Sequence, residues 1–160
     1  MSAHDHASPR TAAQGQPTRL LSPALLLAAV MSWLPPGVLV LVRLTSSDVP
    51  ARVPTHWRGA GVVDGWGSST FAFWSLLVPG VVGAFICSVL AVVLATDTTR
   101  IKAAVAIGLV SAVTGGIASA WFTMALSATG SSAALLPVLA AVVWGGLVFG
   151  ICLLRRNPVD

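Results

Sequence analysis

Residues 71–95 read FAFWSLLVPGVVGAFICSVLAVVLA, a run without a single charged side chain. An α-helix needs roughly 20 such residues to cross the hydrocarbon core of a bilayer. The strands of membrane barrels are much shorter and alternate between apolar and polar residues, whereas this run is long and does not alternate. It therefore predicts a transmembrane helix and decides the fold class of the chain.

Three further apolar runs flank this one along the chain. Only 9% of the 160 residues are charged, against about 25% in soluble domains, and 56% are hydrophobic. We expect an all-α integral membrane protein, one membrane domain over residues 20–154, with four transmembrane helices and an ordered extracytoplasmic loop between helices 1 and 2. The predicted spans are residues 20–43, 71–95, 103–126 and 133–154, and the loop is residues 44–70.

The cationic residues indicate the orientation, because Lys and Arg resist translocation. With the N-terminus inside, six of them are cytoplasmic and three are outside: Arg10, Arg19, Arg100, Lys102, Arg155 and Arg156 against Arg43, Arg52 and Arg58. This predicts a multi-pass plasma-membrane protein with both termini cytoplasmic. Residues 1–19 have the composition of a disordered tail, and residues 155–160 form a second cytoplasmic tail. The cations do not share one face, so nucleic acid is not an expected partner despite the net charge of +4.

The first span carries Pro35-Pro36-Gly37 at its centre. Each proline removes a backbone donor and crowds the preceding turn, so the helix should kink or break near Trp33. Two interpretations follow. The break is either a hinge or opening of the kind that forms binding sites in transporters, or a kink stabilised by a neighbouring helix and by Ser32.

Small residues recur at steps of four in the third and fourth spans, which lets helix backbones approach closely. The pattern predicts a tight antiparallel pair of these helices, with a homodimer as the alternative. The predicted packing residues are Gly108, Ala112, Gly116, Ala120, Gly146 and Gly150. Apart from Arg43 at the outer end of the first span, the predicted spans contain no Asp, Glu, Lys, Arg or His, which argues against proton- or ion-coupled transport. Cys87 and Cys152 are expected to pack as small apolar residues.

The outer loop is the polar part of the chain. Pro50 and Pro54 fix their own torsions and favour extended neighbours, so the stretch before His56 should be a stiff, strand-like rod. The glycines that follow allow turns at Gly59, Gly61, Gly65 and Gly67. Trp57 and Trp66 are suited to the headgroup layer.

This loop contains Val-Pro-x-x-Val-Pro-Thr-His-Trp followed by Gly-x-x-Asp-Gly-Trp-Gly. It resembles the bacterial membrane domain of unknown function found in SdpI-type immunity proteins, whose signature follows a first membrane helix. The matching positions are Pro50, Pro54, His56, Trp57, Gly61, Asp64, Gly65 and Trp66. The resemblance implies an integral membrane protein. The best-known members of that family protect a cell against a secreted peptide toxin and sense it by holding a repressor at the membrane.

His56 and Asp64 are the pair in the loop that could carry chemistry. We expect them to pin the loop closed, since interfacial polar groups need partners. A zinc site would need a further ligand and the loop offers only Asp48, while catalysis lacks a nucleophile. The sequence therefore predicts no metal, no cofactor and no enzymatic activity.

The predicted partners are the lipid bilayer and either a secreted peptide or another membrane protein. Two alternatives to a binding or sensing role stay open. One is a structural subunit that docks through the face from Gly108 to Ala120. The other is a small enzyme or metal site built on His56 and Asp64.

Overall fold

The protein is mostly helical. A computed structural model describes residues 22–58, 62–97, 99–127 and 135–154, so the predicted tails, 1–19 and 155–160, lie outside the described residues. The elements in chain order are α1 Pro23–Met31, α2 Leu34–Thr45, β1 Arg52–Arg58, β2 Val62–Ser68, α3 Ser69–Asp97, α4 Arg100–Ser127 and α5 Leu136–Leu153.

Four helical segments of the described chain are long and apolar enough to cross a membrane. The first combines α1 and α2 in one interrupted span, and the others lie in α3, α4 and α5: Pro23–Thr45, Ser69–Ala95, Arg100–Ser127 and Leu136–Leu153. Their outward faces expose many large apolar side chains, as expected of surfaces that contact lipid. The fold is consistent with a multi-pass membrane protein.

The helix α4 forms the centre of the bundle. Half of its most apolar stretch is buried inside the protein, whereas the corresponding share for α5 is 17%. It packs against α3 on one side and α5 on the other. The interrupted first span crosses this group, because α1 contacts α3 and α5 while α2 contacts α3 and α4.

Glycine and alanine hold the α4–α5 pair together at close range. A β-carbon on Gly145 would lie 2.5 Å from the Ala112 Cβ and 3.0 Å from the Gly108 carbonyl oxygen. One on Gly116 would lie 3.3 Å from the Ala141 Cβ. The two backbones thus approach as closely as small residues permit, and lipid leaves such packing as the main source of helix association. Ala120 is half-buried on α4.

Gly146 and Gly150 do not take part in this contact. Both are exposed, and a β-carbon on either would meet nothing within 4 Å in the described chain. One residue turns a helix by about 100°, so Gly146 faces away when its neighbour Gly145 faces α4. The prediction that these two glycines pack between α4 and α5 is wrong, and Gly145 and Val148 occupy the buried face of α5 instead.

The predicted break in the first span is confirmed between Met31 and Leu34. The fully buried Ser32 donates its hydroxyl to the Ala29 carbonyl oxygen at 2.6 Å and approaches that of Ala84, in α3, at 3.4 Å. The Trp33 indole N–H donates to the Ser88 hydroxyl at 3.1 Å, and Ser88 donates to the Ala84 carbonyl at 3.0 Å. Side chains of the break and of α3 therefore stabilise it, as the second interpretation expected.

Arg100 joins α4 to α5 at the end of the bundle away from the hairpin. Its Nε donates to the Cys152 carbonyl oxygen at 3.0 Å, and a terminal nitrogen donates to the Leu154 carbonyl oxygen. A cation at the first turn of α4 thus satisfies carbonyls left over at the end of α5. Cys87 and Cys152 are free thiols buried in one apolar cluster of the bundle.

Candidate functional site

The connection between α2 and α3 contains an antiparallel β-hairpin with two irregularities. Pro54 pairs with Trp66, His56 with Gly65, and Trp57 with Val63. Thr55 on β1 and Asp64 on β2 are therefore each left without an opposite residue. Bulges of this kind redirect a side chain from its regular face. Here they place the Asp64 carboxylate beside the His56 ring.

The glycines of the motif make room for the side chains of β1. A β-carbon on Gly65 would lie 2.8 Å from the His56 Cβ, and one on Gly67 would lie 2.7 Å from the Thr55 Cγ2. Real β-carbons do not approach other atoms so closely. The turns predicted at Gly65 and Gly67 are therefore wrong, because both residues lie inside β2 and are small to let β1 cross close to them.

Three charged or titratable side chains converge on the outer face of the hairpin. Asp64 accepts at both oxygens: the His56 Nδ1 lies 2.5 Å from Oδ1, and the Arg58 Nε donates to Oδ2 at 3.2 Å. The His56 and Arg58 side chains are 73% and 79% exposed, whereas Asp64 is 22% exposed between them. The carboxylate is thus the shielded centre of a small exposed network.

The network shifts the ionisation of its centre. The hydrogen bond from His56 is the largest cause that lowers the pKa of the Asp64 carboxyl below its ordinary value of 3.8, and the charge of His56 and the hydrogen bond from Arg58 act in the same direction. Partial desolvation acts in the opposite direction and does not prevail. Asp64 is therefore anionic at neutral pH, and it fixes the orientation of the imidazole.

The strand β1 anchors the hairpin to one end of the bundle. Val53 and Pro54 are fully buried, and Val53 packs in an apolar cluster with Leu39, Phe73 and Trp121 of three different helices. The rings of Phe73 and Trp121 meet edge to face at a centroid distance of 5.6 Å. This buried face fixes the hairpin to the helices, so the exposed network has a rigid support.

Three hydrogen bonds that involve backbone atoms hold the base of the hairpin. The Ser69 N–H donates to the Ala51 carbonyl oxygen at 3.1 Å, which ties the first residue of α3 to the residue before β1. Arg52 donates through Nη2 to the Trp66 carbonyl oxygen at 3.2 Å. The Ser68 hydroxyl accepts from the Phe71 N–H at 3.4 Å and so caps α3.

The remaining motif residues lie around the network. Pro50 is half-buried just before β1, and Pro54 lies in the strand beside a bulge, where a missing donor is tolerated. Trp57 is half-buried and Trp66 is 47% exposed. Gly61 lies outside the described residues. The structure brings His56 and Asp64 together and adds Arg58, which the sequence analysis did not assign. The spacing of two residues between His56 and Arg58 could have indicated this, because alternate residues of a strand share a face.

The described side chains of this network can donate and accept hydrogen bonds. No group of three or more His, Cys, Asp or Glu side chains in that part of the chain could hold a metal ion. Asp48 instead accepts from the adjacent Ser47 hydroxyl at 3.3 Å. In the same described part, the His56 ring has a carboxylate partner but no hydroxyl or thiol within hydrogen-bond distance. The geometry offers an oriented imidazole edge and a guanidinium to a ligand.

Comparison with known proteins identifies this region. Residues 37–81 match the model of a family described as a domain of unknown function (DUF1648). The match to DUF1648 begins at Gly37 in α2, includes both strands, and ends at Val81 in α3, so it contains every residue of the network. No curated protein matches the chain significantly, and neither does any solved structure.

Proposed function

We propose that this protein is a non-enzymatic, multi-pass protein of the plasma membrane whose outer hairpin recognises a secreted peptide, in the manner of SdpI-type immunity or sensing proteins. The observation that carries the proposal is the contrast between the hairpin and the helices. Within the DUF1648 match, exposed polar side chains cluster in the His56–Asp64–Arg58 network. The interiors of the described spans contain no Asp, Glu, Lys, Arg or His.

The orientation belongs to the same proposal. An even number of spans puts both described ends of the chain on the side opposite the hairpin. The cationic residues near those ends favour the cytoplasm, which leaves the hairpin outside. A peptide arriving from outside the cell would then meet the hairpin first.

A binding role fits the geometry of the network better than catalysis does. His56 and Arg58 present exposed donors, and the carboxylate that orients both is already satisfied at each oxygen. Such a preorganised set needs little rearrangement to contact a ligand. The alternative of a subunit that docks through the α4 face from Gly108 to Ala120 has less support, because α5 covers Gly108, Ala112 and Gly116 of that face.

The test is survival of cells challenged with secreted antimicrobial peptides. Cells that produce the protein should outgrow cells that lack it in the presence of at least one peptide of a broad panel. Asp64→Asn should remove this advantage, and Gly146→Ala, on the outer face of α5, should keep it. Membrane abundance of both variants is measured alongside. Identical sensitivity with and without the gene across the panel would falsify the proposal.

A further inference from the structure

The base of the hairpin is fixed at the membrane surface. We define the hairpin root as Ala51, Arg52, Ser68 and Ser69. No linker separates β2 from α3, and the apolar span of α3 starts at Ser69 itself. The hydrogen bond from the Ser69 N–H to the Ala51 carbonyl brings Arg52 to the same height. The root therefore lies where the hydrocarbon core gives way to the headgroups.

Cationic groups dominate the side chains at this level. Arg52 is exposed, and the Trp66 carbonyl takes one of the five N–H donors of its guanidinium. Arg43 lies in the last turn of α2, at the end of the helix that leads to the hairpin. Asp48 is the acidic side chain between them, so positive charge is in excess. Arg58 differs from Arg52, because its Nε is engaged by Asp64 nearer the tip of the hairpin.

Three exposed aromatic side chains lie close in sequence to the root. Trp66, Phe71 and Trp74 are 47%, 74% and 56% exposed, and all three lie within eight residues of the start of α3. Amphipathic and aromatic rings at this height are typical of the interface between lipid and water. An occupant of the root must therefore combine an anionic group with an apolar body.

We propose that the hairpin root binds the phosphate of an anionic phospholipid headgroup, with Arg52 as the contact. The Arg52 guanidinium offers paired donors to phosphate oxygens, and the acyl chains of the same lipid lie against the exposed rings. An acidic soluble peptide would match the charge but would leave those rings uncovered. This lipid contact is separate from peptide recognition at the His56–Asp64–Arg58 network.

The experiment compares two arginines of equal charge at different heights. The purified full-length chain is placed in nanodiscs of phosphatidylcholine with increasing phosphatidylglycerol, and protein-bound phosphatidylglycerol is counted by native mass spectrometry after release. Arg52→Gln should weaken phosphatidylglycerol retention about fivefold, the effect of one cation at a charged bilayer surface. Arg58→Gln removes the same charge nearer the tip and should leave retention within twofold of the wild type.

Three controls make the result decisive. Both variants should remain folded in pure phosphatidylcholine, with melting temperatures close to that of the wild type. Arg52→Lys keeps the charge without the paired donors, so it should retain less lipid than the wild type and more than Arg52→Gln. Raising the salt concentration should reduce retention by the wild type. The proposal is overturned if Arg52→Gln retains lipid like the wild type, or if Arg58→Gln loses as much. It is also overturned if Arg52 governs binding of a soluble glutamate-rich peptide but not of phosphatidylglycerol.

Discussion

The α4–α5 pair and the β-hairpin are held together by opposite means. In the helix pair, Gly145 packs directly against Ala112 and the Gly108 backbone, and a β-carbon on Gly145 would have no free space. In the hairpin, Asp64 forms exposed hydrogen bonds with His56 at 2.5 Å and with Arg58 at 3.2 Å. The helices are joined by close packing, whereas the outer face of the hairpin is joined by charged and polar side chains.

The difference follows from the solvent of each region. Lipid competes for no hydrogen bond and supplies no hydrophobic drive between helices, so close packing decides which helices associate. Water competes for every polar contact of an exposed hairpin, and exposed ion pairs contribute little individually. The hairpin accordingly relies on the buried residues of β1, Val53 and Pro54, for stability. Its exposed network is left available for recognition.

The largest effect is expected from Gly145→Ala. The added methyl would approach the Ala112 Cβ to 2.5 Å, so α4 and α5 must separate, at a cost of about 2 kcal/mol. Gly146→Ala is the matched control, since its methyl would meet nothing within 4 Å. Reversible unfolding in detergent micelles measures both. Equal stability of the two variants would show that shape does not hold the pair.

A smaller loss is expected from Gly65→Ala. The methyl would lie 2.8 Å from the His56 Cβ and must displace the ring from Asp64, which we expect to cost about 1 kcal/mol, at the low end for added methyl groups. Hydrogen exchange of the β1 and β2 amides should accelerate, while exchange in α4 and α5 stays unchanged. Gly37→Ala, with open space around it, serves as the control. Uniform acceleration in all helices would contradict separate stabilisation of the two regions.

These two substitutions also mark how far the sequence predicts the structure. The spans follow from uncharged runs long enough to cross a bilayer, and the break at Ser32 and Trp33 follows from the missing donors of Pro35 and Pro36. The small-residue pattern predicts the α4–α5 pair but not which of Gly145 and Gly146 faces α4. Adjacent glycines are equivalent in a pattern, and only the rotation of α5 against its neighbours separates them.

The candidate site was predictable in its residues and not in its architecture. His56 and Asp64 are natural partners within a short loop, and the structure joins them at 2.5 Å. The strand β2 was not expected, because Gly65 and Gly67 favour turns in isolation. Their role depends on the opposite strand, whose His56 and Thr55 need the space. The bulges at Thr55 and Asp64 depend on the register of two strands, which no local pattern encodes.

Acid should weaken the hairpin and spare the helix pair. The pKa of Asp64 is lower in the folded hairpin than its ordinary value of 3.8, so its contribution is fully present above that value and is lost as the pH falls through the folded pKa. We expect hairpin amide exchange, corrected for intrinsic rates, to be independent of pH above 5 or so and to accelerate in stronger acid. Asp64→Asn should remove this dependence. An equal acid response in α4 and α5 would be the contradictory outcome.

The smallest effect is expected from Trp33→Phe, which tests an exposed polar contact between the first span and α3. The change keeps an aromatic ring but removes the N–H that donates to the Ser88 hydroxyl at 3.1 Å. Hydrogen bonds between membrane helices contribute about 0.6 kcal/mol on average, well below the cost expected for Gly145→Ala. Ser88 keeps its bond to the Ala84 carbonyl, so the donor is lost without leaving the hydroxyl unpaired. Unfolding of Trp33→Phe, Ser88→Ala and the double variant gives the coupling between the two side chains. A coupling as large as the Gly145→Ala effect would mean that charge and hydrogen bonding, and not shape alone, determine how these helices associate.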